Sequence, residues 1–133
     1  MVQEEKQLVL QDICARLLYG LRIRIYNHWT DSFEDEILSI DNISEILHNF
    51  PIEDIKPYLR PMSSMTAEEE YEYHQCKNID YIEIREMEHT EMLETTALCF
   101  SHAIDWLNKK GFDFRGLIQM GLALEAPKDM YEF

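Results

Sequence analysis

Leu93, Ala97, Phe100, Ile104 and Leu107 recur at steps of four, three, four and three, the repeat of one buried helix face. Trp106 sits beside the stripe. The pattern predicts a long helix whose core side is Leu93, Phe100, Ile104 and Leu107, with Trp106. Lys109 and Lys110 oppose its negative end, and Gly111 accepts a left-handed C′ conformation. Asp113 then predicts the cap of a short helix through about Met120, ended by Gly121.

Earlier in the chain, Val9, Leu10, Ile13, Cys14, Leu17 and Leu18 fall on one face of a helix over 3–19, ended by Gly20. Cys14 reads there as a small buried hydrophobe. Leu21 to Tyr26 alternates strictly, with Leu21, Ile23 and Ile25 to one side and Arg22, Arg24 and Tyr26 to the other, the signature of a strand. Asn27 to Asp35 suits a loop with Trp29 and Phe33 folding back. Glu36–Ile43 reads as a second strand, Ile46–Phe50 as a short third, and Pro51 opens a helical turn that Pro57 stops. Thr66-x-x-Glu69 is a capping box starting a helix to about Cys76, with Tyr71 and His74 placed to face inward. Residues 78–86 read as a strand, Leu122-Ala123-Leu124 as an apolar extended piece, and the tail from Pro127 as peripheral.

These elements define one α+β domain over 1–133. It has an N-terminal helix, a small antiparallel sheet of about three strands, and a mainly helical C-terminal half with one long and one short helix. A 46% hydrophobic content supplies a core and excludes full disorder.

Charge changes the picture. Lys plus Arg number 12 and Asp plus Glu 26, a net −14, the wrong sign for direct nucleic-acid or anionic-membrane binding. Residues 31–54 hold eight acids and no Lys or Arg, and residues 68–94 hold ten acids against Lys77 and Arg85. One reading is a solvated surface. The sharper reading is an acidic face that meets a basic partner protein or imitates a phosphate backbone. Its candidates in the first stretch are Asp31, Glu34, Asp35 and Glu36. In the second they are Glu68, Glu69, Glu70, Glu72, Glu88 and Glu91.

Cys14, Cys76 and Cys99 lack a disulfide spacing, which predicts a reducing cytoplasm. The N-terminal residues have no basic region leading into an apolar run, so no signal peptide is expected. No apolar stretch approaches a membrane span.

His74-x-Cys76 and Cys99-x-x-His102 could together supply four tetrahedral zinc ligands. That spacing lacks a Cys-x-x-Cys knuckle, and the competing reading is thiols and histidines with no metal. Glu88, His89, Glu91 and Glu94 lack the second His of a zincin motif, and an exposed acidic face explains them. No nucleophile elbow or Gly-rich phosphate loop is present. The expectation is therefore no catalysis and no cofactor. A zinc domain or metal-dependent hydrolase stands as the rival class, and a structural or assembly protein as a further alternative.

Three stretches carry a resemblance. They are Ala15-Arg16-Leu17-Leu18-Tyr19-Gly20, the block Ile52 to Thr66, and the run Asp105-Trp106-Leu107-Asn108 through Phe112-Asp113-Phe114-Arg115-Gly116-Leu117-Ile118 to Gly121-Leu122-Ala123. Together they resemble a family of small uncharacterised proteins of anaerobic gut bacteria of the Bacteroidales type, their phages and other mobile elements. This sequence departs from the family's pattern at Leu18, where Pro precedes the Tyr-Gly. The resemblance brings no activity, ligand or catalytic residue. It implies an accessory gene on mobile DNA, whose products bind host or phage proteins.

Overall fold

The computed structural model describes residues 1–77 and 89–131, with the side chains at 77, 89–93 and 95–97 outside that description. The element order is α1 (Gln3–Ala15), β1 (Arg22–Asn27), β2 (Ser32–Ile37), α2 (Ile43–Asn49), β3 (Ile55–Leu59), α3 (Ala67–Lys77), α4 (His89–Lys110) and β4 (Leu124–Glu125). The α+β class and N-terminal helix are as the sequence predicts. The sheet has four strands rather than three, in the order β2-β1-β3-β4. It is mixed, because β4 runs parallel to β3 while the other pairs are antiparallel.

Strand β1 is the centre of the register. Ile23 and Ile25 turn to the core and are fully buried. The Leu38 amide donates to the Leu21 carbonyl at 2.8 Å. By antiparallel alternation, Ile23–Glu36 and Ile25–Glu34 are then the hydrogen-bonded pairs of β1 and β2. Arg22, Arg24 and Tyr26 therefore turn their amides toward β3. Arg24 pairs with Lys56, and Pro57 stands opposite Ile23, where its missing N–H costs no β1 hydrogen bond. Edge and non-donating positions of this kind tolerate proline, which is why Pro57 lies inside a strand instead of ending a turn.

Val9 and Ile13 of α1 pack on this inner face with Leu21, Ile55, Leu59, Leu38, Ile46, Leu117, Leu122 and Ala123. Beside them α1 buries Asp12 and Arg16, while Leu10, Cys14 and Leu18 face solvent. The buried face is thus rotated from the apolar stripe, and Cys14 is not a core residue. The cause is an ion-pair network. Arg16 Nε donates to both Asp12 oxygens at 3.1 Å, and Arg115 donates to the same carboxylate at 2.6 Å.

Other expectations are corrected. The segment 46–49 is helix, not strand, with Phe50 as its extended C-cap, because Ile43, Ile46, Leu47 and Phe50 repeat at helical spacing and pack against the core together. Strand β2 begins at Ser32, not Glu36, since pairing with β1 outweighs the weak apolar alternation further on. On α4 the core side is Ala103 and Leu107, whereas Phe100 and Ile104 are 59% and 44% exposed. The side chains of Leu93 and Ala97 are outside the described set. Trp106 is half-buried and stacks on Phe112, with ring centroids 5.7 Å apart. Tyr73, not Tyr71 or His74, turns toward α4, 5.8 Å from Trp106. The strand expected over 78–86 lies outside the described residues.

The short helix expected from Asp113 is absent among the described residues: Asp113 accepts from the amides of Leu117 at 2.8 Å and Ile118 at 2.9 Å, four and five residues on, and so closes a loop rather than capping a helix. Turns follow instead of a helix, because Gly116 takes a φ of 78°, off the right-handed helical region. The tail is not peripheral. The Tyr131 hydroxyl accepts from the Arg22 amide at 2.9 Å and donates to the Tyr58 carbonyl at 2.6 Å. It thereby links β1 and β3 beyond their described pairing. Burial pushes its phenol up to about 12.

Candidate interaction surface

The β1–β2 hairpin carries the first group of candidate acids. The Asn27 side chain accepts from the Trp29 amide at 2.9 Å, an Asx turn that starts the connection. Asp31 completes it at a φ of 50°. Trp29 is 95% exposed at the tip and does not fold back, whereas Phe33 behind it, though 60% exposed, lies edge-on to Tyr26 with ring centroids 5.2 Å apart. Among the described residues β2 is an edge strand. Its alternation puts Glu34 and Glu36 on the face shared with Ile23 and Ile25, and Phe33, Asp35 and Ile37 on the open face with Arg22, Arg24 and Tyr26.

Each acid of the sequence reading has a definite setting. Asp31 accepts from the Tyr26 hydroxyl, and the carboxylate's hydrogen bond holds that phenol above its usual value. Asn27 donates to Glu34 at 3.2 Å. Tyr58 donates to Asp35 at 2.8 Å; burial first, and this bond second, raise the Tyr58 phenol. Arg24 stands opposite Asp35 in the register but lies 4.1 Å over the Phe33 ring. Among the described residues, ion pairs engage Asp12, Glu53, Asp54 and Glu69. Asp31, Glu34, Asp35 and Glu36 enter none.

At the start of α3, Thr66 and Glu69 form the capping box, each side chain accepting from the other's amide at 3.1 Å. Arg60 also grips Glu69 through two bonds of 2.7 and 2.8 Å, which hold the Glu69 carboxyl below its usual range. Glu69 is therefore structural and leaves the candidate face. Glu68 and Glu70 are exposed without an ion pair among the described residues. Glu72 accepts from the Trp106 indole at 3.2 Å. Glu88 lies outside the described residues, as does the side chain of Glu91.

The zinc quartet is not assembled. Among the described residues, no three of His, Cys, Asp and Glu gather as metal ligands. His74 is exposed and opens on a groove of about 380 Å3 lined by Met62, Met65, Glu70 and Tyr73. Compared with family models, curated proteins and solved structures, the chain matches none. No helix among the described residues is long and apolar enough to cross a membrane.

The sequence reading missed the Asp12–Arg16–Arg115 network and the open aromatic and cationic face of the sheet. Asp12 and Arg16 stand four apart, a spacing that signals a helical ion pair. Arg115 carried no such signal.

Proposed function

We propose that this protein is a non-enzymatic acidic interaction module that acts in the cytoplasm by docking on a basic surface of a partner protein. One observation carries the reading. The hairpin acids Asp31, Glu34, Asp35 and Glu36 follow one another along the turn and the edge strand, on both of its faces, and none is in an ion pair among the described residues. Hydrogen bonds from Tyr26 and Tyr58 orient two of these carboxylates and leave their charge in place. Such a field accelerates encounter with a basic surface and repels acidic ones. A product of mobile DNA, as the resemblance implies, would use such a face on a host or phage protein, including the nucleic-acid groove of a defence enzyme.

The test starts with capture from host lysate at low salt and elution near ~0.5–1 M, where screening is strong. Two variants then share one charge change. Glu34→Gln, Asp35→Asn and Glu36→Gln neutralise the hairpin; Glu68→Gln, Glu70→Gln and Glu72→Gln neutralise α3. The hairpin variant loses the purified partner and the α3 variant keeps it. Equal weakening by both would mean bulk charge, with no dedicated face.

A further inference from the structure

We infer that the free edge of β2 takes up an extended basic segment of the partner as a fifth strand, with cations at alternate positions facing Glu34 and Glu36. The inference rests on the interaction reading above and names its site and the form of what docks there.

The alternation that gives Glu34 and Glu36 their hydrogen bonds to β1 turns the amides and carbonyls of Phe33, Asp35 and Ile37 outward. Among the described residues β2 is last in the strand order. The Ile37 carbonyl accepts from the Asn42 side chain at 2.8 Å. The remaining outward groups, the amides of Phe33, Asp35 and Ile37 and the carbonyls of Phe33 and Asp35, form an open row there, the template that strand addition uses. An antiparallel strand bonding to Phe33, Asp35 and Ile37 places its intervening residues opposite Glu34 and Glu36. Those are non-hydrogen-bonded pairs, in which facing side chains are closest. Opposite charges in such pairs attract and like charges repel. Phe33 and Ile37 are 60% and 49% exposed on the other face, and they offer contact to apolar residues at the ends of the segment. The edge therefore reads a pattern of apolar, basic, any, basic, apolar. A second copy of this chain is a poor occupant, because antiparallel pairing of two β2 edges would set the run Glu34-Asp35-Glu36 against itself.

The probe is a seven-residue peptide with the core Val-Lys-Thr-Lys-Val, titrated into the intact protein and followed by backbone amide NMR. One analogue carries a backbone N-methyl on the central Thr, whose N–H points at β2. A second carries it on a Lys, whose N–H points away, with the same charge. The expected result is perturbation at Phe33, Asp35 and Ile37. Affinity should fall at least about tenfold for the first analogue and less than about threefold for the second. Equal binding of both analogues would overturn strand addition, and so would perturbation confined to α3. Either would leave the basic-partner reading standing. Failure of the parent peptide to bind at millimolar concentration also overturns the inference; the interaction reading falls only if the two neutralising variants behave alike toward the captured partner.

Discussion

The Arg16 guanidinium donates to the Phe112 carbonyl at 2.6 Å across 96 residues of sequence. It joins the end of α1 to the corner that follows α4. Asp12 holds that guanidinium in place while also accepting from Arg115. Removing the single carboxylate leaves a fully buried guanidinium without its counter-ion. Asp12→Ala should cost ~3–5 kcal/mol of unfolding free energy, read as a lower urea midpoint at unchanged slope.

Two phenylalanines separate the real core from the apolar stripe. Phe112 is fully buried between Trp106 and Arg60, with the Arg60 guanidinium 4.2 Å over its ring. Phe112→Ala should destabilise by ~3–5 kcal/mol. Phe100→Ala, at an exposed position, should stay within ~0.5 kcal/mol. Chemical denaturation of both variants gives the ranking.

Burial pushes the Tyr131 phenol up to about 12 from its ordinary 10.0. A raised value means the neutral phenol stabilises the fold below the unfolded value, and that contribution disappears as pH rises from 10 to 12. Tyr131→Phe leaves the Arg22 amide and Tyr58 carbonyl without the bridging hydroxyl, costing ~1–2 kcal/mol at neutral pH. The difference in melting temperature between the two proteins should shrink across that alkaline window.

Glu69 gives the opposite pH sign. Its carboxyl is held below the ordinary 4.5 mainly by the Arg60 hydrogen bonds. Its contribution is present above the unfolded value and is lost as pH falls through the folded one. Glu69→Gln weakens both the capping box and the grip of Arg60, and should cost ~1–2 kcal/mol at pH 7. That difference should narrow on acidification below pH 4.5.

Local signals were legible and long-range ones were not. The alternation around Ile23 and the box at Thr66 and Glu69 rest on neighbours in sequence, and both stand in the structure. The stripe through Phe100 and Ile104 has correct helical spacing, but spacing does not say which side of an amphipathic helix meets the sheet. β2 hid because an acidic edge strand lacks apolar alternation, and β3 because Pro57 reads as a breaker until its register is known. Of the candidate acids, those of the hairpin lie on the turn and on β2 and enter no ion pair among the described residues. Glu69 is instead gripped by Arg60, nine residues earlier just past the end of β3, a pairing that helical spacing does not signal.

Amide hydrogen exchange along β2 tests the open edge most directly. In the free protein, the amides of Glu34 and Glu36 should exchange slowly, held by β1, while those of Phe33, Asp35 and Ile37 exchange fast. Adding the basic partner should slow those three amides. If they are already slow in the free protein, or if the partner instead slows the first turn of α3, the β2 edge is not where this protein binds.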